Sequence, residues 1–228
     1  MELGPEDPPL VVQLVWQDQA PGRDDSSPGP FAHALSQHFS SEEQARLASF
    51  RHPQDRWRHG LARLGLKRLL EQVLGVGARS LVIQPDRQGK PQLVAGCAIP
   101  LAPQFNLSHA GELVLLALHP SQAVGVDGER LDRRCNLERL APRLLSEQQR
   151  AVLASLPANQ QHAFLLRQWC RLEAQLKCGG EGLAGLEALR QAKGSRNLDL
   201  QLVELALPAG YCGALAWTHH SPEAPISR

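Results

Sequence analysis

The first dense apolar run, Leu10–Trp16 (LVVQLVW), is rich in Val and Leu and predicts a strand. Residues 1–9 are proline-rich and predict no regular element, and Gln17–Pro30, with PGRDDSSPGP, predicts a loop. Ser40 with Glu43, and Ser41 with Gln44, have capping-box spacing, so a short helix to about Phe50 follows. Trp57, Leu61, Leu64, Leu69 and Val73 then recur at helical spacing, which predicts a long helix over Arg56–Leu74. Asp55 is its expected N-cap and Gly75 its stop. Short strands come next. Ser80–Gln84 is β-like, Pro85–Pro91 reads as a turn, and Gln104–Ser108 and Glu112–His119 flank His109–Gly111 as a tight hairpin turn. Ala123–Glu129 is a further strand.

The second half begins with helices. Leu137–Leu145 contains Pro142, which breaks or kinks it. Ser146 and Gln149 form another capping box opening a helix to Leu156. Asn159 is the expected cap of a long helix through Lys177, stopped by Gly179 and Gly180. Leu198–Leu205 and Tyr211–Thr218 alternate as strands. Each half thus runs from a long helix to closing strands. Ala110, Gly111, Leu116 and Ala117 are echoed at the same spacing by Ala209, Gly210, Leu215 and Ala216. That pattern hints at two related α/β subdomains packed face to face, with a site at their interface.

Composition narrows the classes. A chain of 228 residues suits one large domain or two small ones sharing a core. A formal net charge of +1 sets up no dominant field, so nucleic acid is not favoured as a partner, and an anionic ligand needs local positive charge. The five cysteines, Cys97, Cys135, Cys170, Cys178 and Cys212, show no metal-type pairs, and an odd number leaves one unpaired. With no signal-peptide pattern after Met1, a reducing, cytoplasmic setting is expected. No apolar run reaches the length of a membrane span, so no membrane partner is expected.

Candidate chemistry concentrates in two stretches. In Val124–Arg130 (VGVDGER), Asp127 and Glu129 project to one face of a strand. Two carboxylates so placed suit a hard divalent cation, although on this stretch alone a solvated strand end is the better reading. In the long second helix, Trp169, Glu173 and Lys177 are four apart in succession and share one face. Taken alone, that pattern is a tryptophan anchor with a surface ion pair. Together, Asp127, Glu129 and Glu173 supply three carboxylates from two elements, enough for Mg²⁺ with substrate phosphate and water. Lys177 sits one turn beyond, where an anionic group would arrive. Phe105, Trp169, Cys170 and Cys178 read as packing residues, and His219 and His220 as surface.

V-G-V-D-G-E at Val124–Glu129, followed by W-x-x-x-E-A-x-x-K at Trp169–Lys177, resembles the paired signature of the 4′-phosphopantetheinyl transferases of the surfactin-synthetase-activating (Sfp) type. Phe50–Asp55 with Arg58, the Gly89–Pro91 turn, the Phe105–His109 strand end, and Gly180, Gly182 and Leu183 resemble further family segments in the same order. The resemblance implies an α+β, pseudo-two-fold monomer of two similar subdomains, 1–121 and 122–228, with coenzyme A and Mg²⁺ between them. It implies transfer of the 4′-phosphopantetheine arm to a serine of an apo carrier protein of fatty-acid, polyketide or nonribosomal peptide synthesis, releasing adenosine 3′,5′-bisphosphate. Asp127, Glu129 and Glu173 match the metal-site acids. Ser108 and His109 match phosphate contacts, Lys90 and Lys177 match cations facing the nucleotide and pyrophosphate, and Arg46 matches a basic position near the 3′-phosphate, with Arg51 and Arg58 nearby. Asp127 and Glu173 are the expected catalytic acids. The base that takes the serine proton is Glu173, directly or through water, or a hydroxide held by the metal.

Three departures bear on activity. Gly128 stands where the family often has Ile, which predicts a packing loss. Leu172 replaces a common Lys, so either a phosphate contact is lost or the adjacent Arg171 supplies it from a different angle. Glu43 stands where some members have a Lys near the nucleotide. A non-catalytic relative that binds coenzyme A or carrier protein is the competing reading. Arg133, Arg134, Arg139 and Arg143 are expected to meet an acidic carrier.

Overall fold

The computed structural model describes residues 4, 7–15, 30–87, 89–94, 102–139, 141–180 and 200–218. Cys97, Gly182, Leu183, His219, His220, most of the loop expected at Gln17–Pro30, and the side chain of Arg143 lie outside the described residues.

Two three-stranded antiparallel sheets organise the chain. The first joins β1 (Leu10–Val15), β5 (Leu113–His119) and β4 (Gln104–Ala110) in the order β1-β5-β4. The second joins β6 (Val124–Arg130), β8 (Tyr211–Thr218) and β7 (Leu200–Glu204) in the order β6-β8-β7. Each begins with its first strand, continues through helices ending in one of 22 residues, and closes with a hairpin whose last strand is central. The long helices are α3 (Pro53–Leu74) and α6 (Ala158–Gly179). The Ala-Gly…Leu-Ala echo falls on the two turns entering the central strands, with Gly111 and Gly210 both at positive φ.

Four layers stack in the order α3, first sheet, second sheet, α6. Leu66, Leu69 and Leu70 of α3 pack on Val114, Leu116 and Leu118. The opposite face of β5, through Leu113, Leu115 and Ala117, packs on Val124, Val126 and Leu215. The far face of the second sheet, through Cys212, Ala214 and Ala216, packs on Leu166, Cys170 and Ala174 of α6. Strand β5 therefore has an apolar layer on both sides, which is why all seven of its residues are buried and its sequence does not alternate. Each leucine buried there contributes roughly 1.5–3 kcal/mol.

Shorter elements complete the first lobe. Helix α1 (Pro30–His38), not expected from the sequence, packs on α3, with Phe31 stacked on Trp57 at 4.0 Å between centroids. Helix α2 (Ser41–Ala48) opens with the expected Ser40–Glu43 capping box. The β-like stretch at Ser80–Gln84 divides into a 3₁₀ turn, Ala78–Ser80, and β2 (Ile83–Pro85), which pairs with β3 (Pro91–Leu93) across the expected turn. In the second lobe, Leu137–Arg139 forms a 3₁₀ turn and α4 (Ala141–Leu144) follows, so the Pro142 region is broken as expected. Helix α5 (Glu147–Ser155) has its Ser146–Gln149 capping box.

Two expected caps are corrected. Asp55 lies inside the first turn of α3, because the helix starts at Pro53, three residues before the expected Arg56, and His52 is the cap. Asn159 lies inside α6, which starts after Pro157. The stops are as expected, with Gly75 and Gly180 left-handed at φ 65° and 74°. The turn between β4 and β5 is Gly111–Glu112, since Ala110 pairs with Leu113, and His109 belongs to the strand. Among the described residues no helix is long and apolar enough to cross a membrane.

One close approach sets the position of α6. A Cβ on Gly125 would stand 2.1 Å from Ala174 O and 2.3 Å from Cys178 N. Both are backbone atoms, so no side chain can swing aside. Gly125→Ala should destabilise the fold by about 3 kcal/mol, the upper end for overpacking. Gly77→Ala, at a site with nothing within 4 Å, should leave stability unchanged. Urea unfolding of both variants, compared with the parent chain, checks this.

Candidate active site

The Gly125 contact brings the acid-bearing face of β6 against α6. Residues 125, 127 and 129 share that face, while 124, 126 and 128 face the first lobe. Asp127 is 5% exposed. Its Oδ1 accepts hydrogen bonds from Ser108 Oγ at 2.9 Å and Lys177 Nζ at 2.7 Å. Its Oδ2 is buried without a hydrogen-bond partner among the described residues. Glu173 is half-buried on α6, one turn before Lys177. Burial first, and the Asp127 charge second, hold its carboxyl above the usual range, with Lys177 and Arg133 pulling the other way. A carboxyl held up by its neighbour's charge, beside a buried carboxylate with an orphaned oxygen, makes a donor set short of positive charge. Asp127 and Glu173 therefore fit a hard divalent cation completed by ligand oxygens.

Glu129 projects from the same face but is bonded to Arg133. Among the described residues, no three of His, Cys, Asp and Glu come close enough to enclose a metal ion. Ser108 is buried and bridges the lobes. Its Oγ donates to Asp127 and accepts from Gly128 N at 3.3 Å. His109, the next residue, is exposed. Desolvation first, then the Arg58 and Lys177 charges, hold its imidazole below the usual range, so it favours the neutral form. Arg58 donates through Nε to Gly111 O and through Nη1 to Asp55. Arg46 and Arg51 are exposed, on α2 and on the turn before α3. Burial, then the charges of Arg46 and Arg63, hold the nearby His59 below its usual range.

Lys90 has a different orientation from Lys177. Its Nζ donates to Val124 O at 3.2 Å and Lys177 O at 2.9 Å, and desolvation there lowers its affinity for the proton.

No packing is lost at Gly128, because a Cβ there would meet Leu115 Cδ1 at 2.7 Å; the leucine already fills the space. Arg171 pairs with Glu204 of β7 at 3.4 Å rather than turning to the seam. Glu43 binds Lys67 at 2.6 Å, Arg63 at 2.9 Å and the Ser40 amide. Burial raises its carboxyl, but the Lys67 and Ser40 hydrogen bonds more than offset this and leave it below the usual range. Lys67 is fully buried, so Glu43 is its structural counter-ion.

Asn106 was missed in the sequence. It is buried on β4, and its Oδ1 accepts from Val126 N at 3.0 Å. Its spacing of two from Ser108, which puts both on one face, was the available signal. Cys170 and Cys212 pack with sulfurs 3.9 Å apart; that hydrogen bond, burial and Asp127 push the Cys170 thiol up, so it is inert. Burial pushes the Cys178 thiol up to about 11.

These features define a pseudo-two-fold α+β protein with a charged seam between its lobes. The profile described as 4′-phosphopantetheinyl transferase, N-terminal, matches residues 26–121. The profile of the 4′-phosphopantetheinyl transferase superfamily matches residues 123–207. The chain belongs to the 4′-phosphopantetheinyl transferase superfamily. The 4′-phosphopantetheinyl transferase HetI of Nostoc sp. is 35% identical over 158 residues, 69% of this chain and 66% of HetI. The protein slr0495 of Synechocystis sp. is 33% identical over 147 residues, 64% of this chain and 59% of its own length. The 4′-phosphopantetheinyl transferase AcpT of Salmonella typhimurium is 37% identical over 93 residues, 41% of this chain and 46% of AcpT. The matched stretch thus spans less than two thirds of each of these relatives.

Replacing Asp127 by Asn removes a charge that raises Glu173 and frees Lys177 from its carboxylate. Glu173 should therefore titrate at lower pH in Asp127→Asn than in the parent chain, both free of metal. Carboxyl ¹³C NMR of Glu173 reads this directly, and an unchanged titration would mean the two acids do not share a field.

Proposed function

We propose that this protein is a phosphopantetheinyl transferase of the surfactin-synthetase-activating type. It moves the 4′-phosphopantetheine arm of coenzyme A to a serine of an apo carrier protein. The observation that carries this reading is Asp127, buried at the lobe seam with one oxygen gripped by Ser108 and Lys177 and the other unpartnered. A structural carboxylate would have both oxygens satisfied.

The division into 1–121 and 122–228 with the site between them is part of the proposal, and the two matched segments, which meet at that linker, support it. Asp127 and Glu173 would hold Mg²⁺, with Glu129 joining after release from Arg133. When bound, Mg²⁺ would neutralise charge on the pyrophosphate leaving group. Lys177 and His109 face the phosphates, the first as a cation and the second as a donor. Arg46 and Arg51 supply exposed positive charge for the 3′-phosphate. The carrier serine oxygen forms a bond to the proximal phosphorus as the bond to the bridging oxygen breaks, and adenosine 3′,5′-bisphosphate leaves. Glu173 takes the serine proton. Its place on α6, one turn before Lys177 and beside Asp127, suits it to that role. The carrier approaches along Arg133, Arg134 and Arg139, the first two lining an open depression of about 520 Å³ beside Glu129. A carrier of fatty-acid, polyketide or nonribosomal peptide synthesis, acidic around its serine, suits that rim. The chain acts in the cytoplasm as a monomer.

Incubation of apo carrier proteins with coenzyme A, Mg²⁺ and this protein should add one phosphopantetheine mass to the carrier. Asp127→Ala should add none. Intact-protein mass spectrometry reads both; coenzyme A binding without any mass gain by the parent chain would instead favour a non-catalytic relative.

A further inference from the structure

Lys90 sits in the β2–β3 turn of the first lobe, held by its own backbone. Its amide donates to Asp86 Oδ1 at 2.8 Å, and Asp86 N donates to Lys90 O at 2.8 Å. The side chain crosses to the second lobe and ends on two carbonyls, Val124 O and Lys177 O. Val124 O lies on the β6 edge that pairs with no strand among the described residues. Lys177 O belongs to the last turn of α6, where carbonyls have no helical partner. A cation there satisfies an orphan acceptor and complements the negative end of the helix dipole.

Lys177 is also the residue whose ammonium binds Asp127 at 2.7 Å. Lys90 therefore holds the backbone of the residue that holds the acid. We infer that Lys90 is a positioning residue: it fixes the end of α6 and the start of β6 so that Lys177 and Asp127 meet in register, and it does not bind the phosphates of coenzyme A. The inference rests on the transferase reading only for its kinetic consequence; the inter-lobe tie stands on the contacts alone. Lys90 gives up hydration for two carbonyls, so its ammonium is committed to backbone acceptors of the second lobe. A residue that positions through another loses turnover when removed, because reacting groups displaced by about 1 Å cost about 100-fold. A phosphate ligand would lose affinity for coenzyme A first.

The test uses Lys90→Met and Lys90→Arg in the full chain, with three readings. Hydrogen exchange over residues 170–180 should quicken in Lys90→Met and return close to the parent in Lys90→Arg. Turnover with apo carrier should fall about 10- to 100-fold in Lys90→Met, with KM for coenzyme A within about threefold, and Lys90→Arg should recover most of it. Salt dependence of coenzyme A binding should be the same in Lys90→Met and the parent chain. A tenfold rise in KM with turnover intact, or a flattened salt dependence, would make Lys90 a phosphate ligand and overturn the inference. Unchanged exchange over residues 170–180 would overturn it as well. If Lys90→Met fails to fold, Lys90→Gln, which keeps one donor, is read the same way. A parent chain without transfer activity would sink the transferase reading, while the exchange result would still decide the tie.

Discussion

Strand β6 ends its sheet, so among the described residues one of its edges pairs with no other strand. Unpaired N–H and C=O groups there, buried between two lobes, would each cost about 1–3 kcal/mol. Four of them are met by side chains. Lys90 donates to Val124 O, Asn106 accepts from Val126 N, Lys177 donates to Val126 O, and Ser108 accepts from Gly128 N. Three of those four side chains come from the first lobe. The lobes are thus joined through a strand edge read by side chains rather than through a continued sheet. Two of the four, Ser108 and Lys177, go on to grip Asp127. The same contacts that close the seam hold the acid to which the proposed chemistry is assigned.

Small residues make this geometry possible on both faces of β6. Gly125 admits the backbone of α6, which carries Glu173 and Lys177 to the acid face. Gly128, paired with Gly213 on β8, admits Leu115 from the central strand of the first lobe. A strand whose acids alternate with glycines and valines can therefore be buried on both faces and still present Asp127. The N-terminal lobe has its own charged cluster, Glu43 with Arg63 and Lys67, and this one is fully partnered. Charge that is satisfied fixes the packing of α2 on α3, and the unsatisfied Asp127 Oδ2 is the feature on which the proposed site rests.

Much of this was legible in local pattern. The capping boxes at Ser40 and Ser146, the two glycine helix stops, and the strands around Leu113–His119, Val124–Arg130 and Tyr211–Thr218 follow from spacing and composition. Asp55 and Asn159 misled because a proline upstream starts each helix earlier than a side-chain cap would. Helix α1 was missed because Phe31 and Ala34 are held by Trp57 and the rest of α3, a tertiary contact with no local signal. The seam itself was half legible. The two acids and Lys177 were readable as a constellation, because they share faces at fixed spacing. The target of Lys90 was not, because it donates to backbone carbonyls that any residue would supply. The counter-ion role of Glu43 was hidden for a similar reason, since its partner Lys67 is 24 residues away and one helix further on.

Closure of the β6 edge by side chains from across the seam is read most directly by residue-resolved amide hydrogen exchange. Val126 and Gly128 should exchange as slowly as the core of β5, although no strand among the described residues pairs with that edge, and Asn106→Ala should release Val126 while leaving Gly128 protected. Fast exchange at both amides in the parent chain would contradict it.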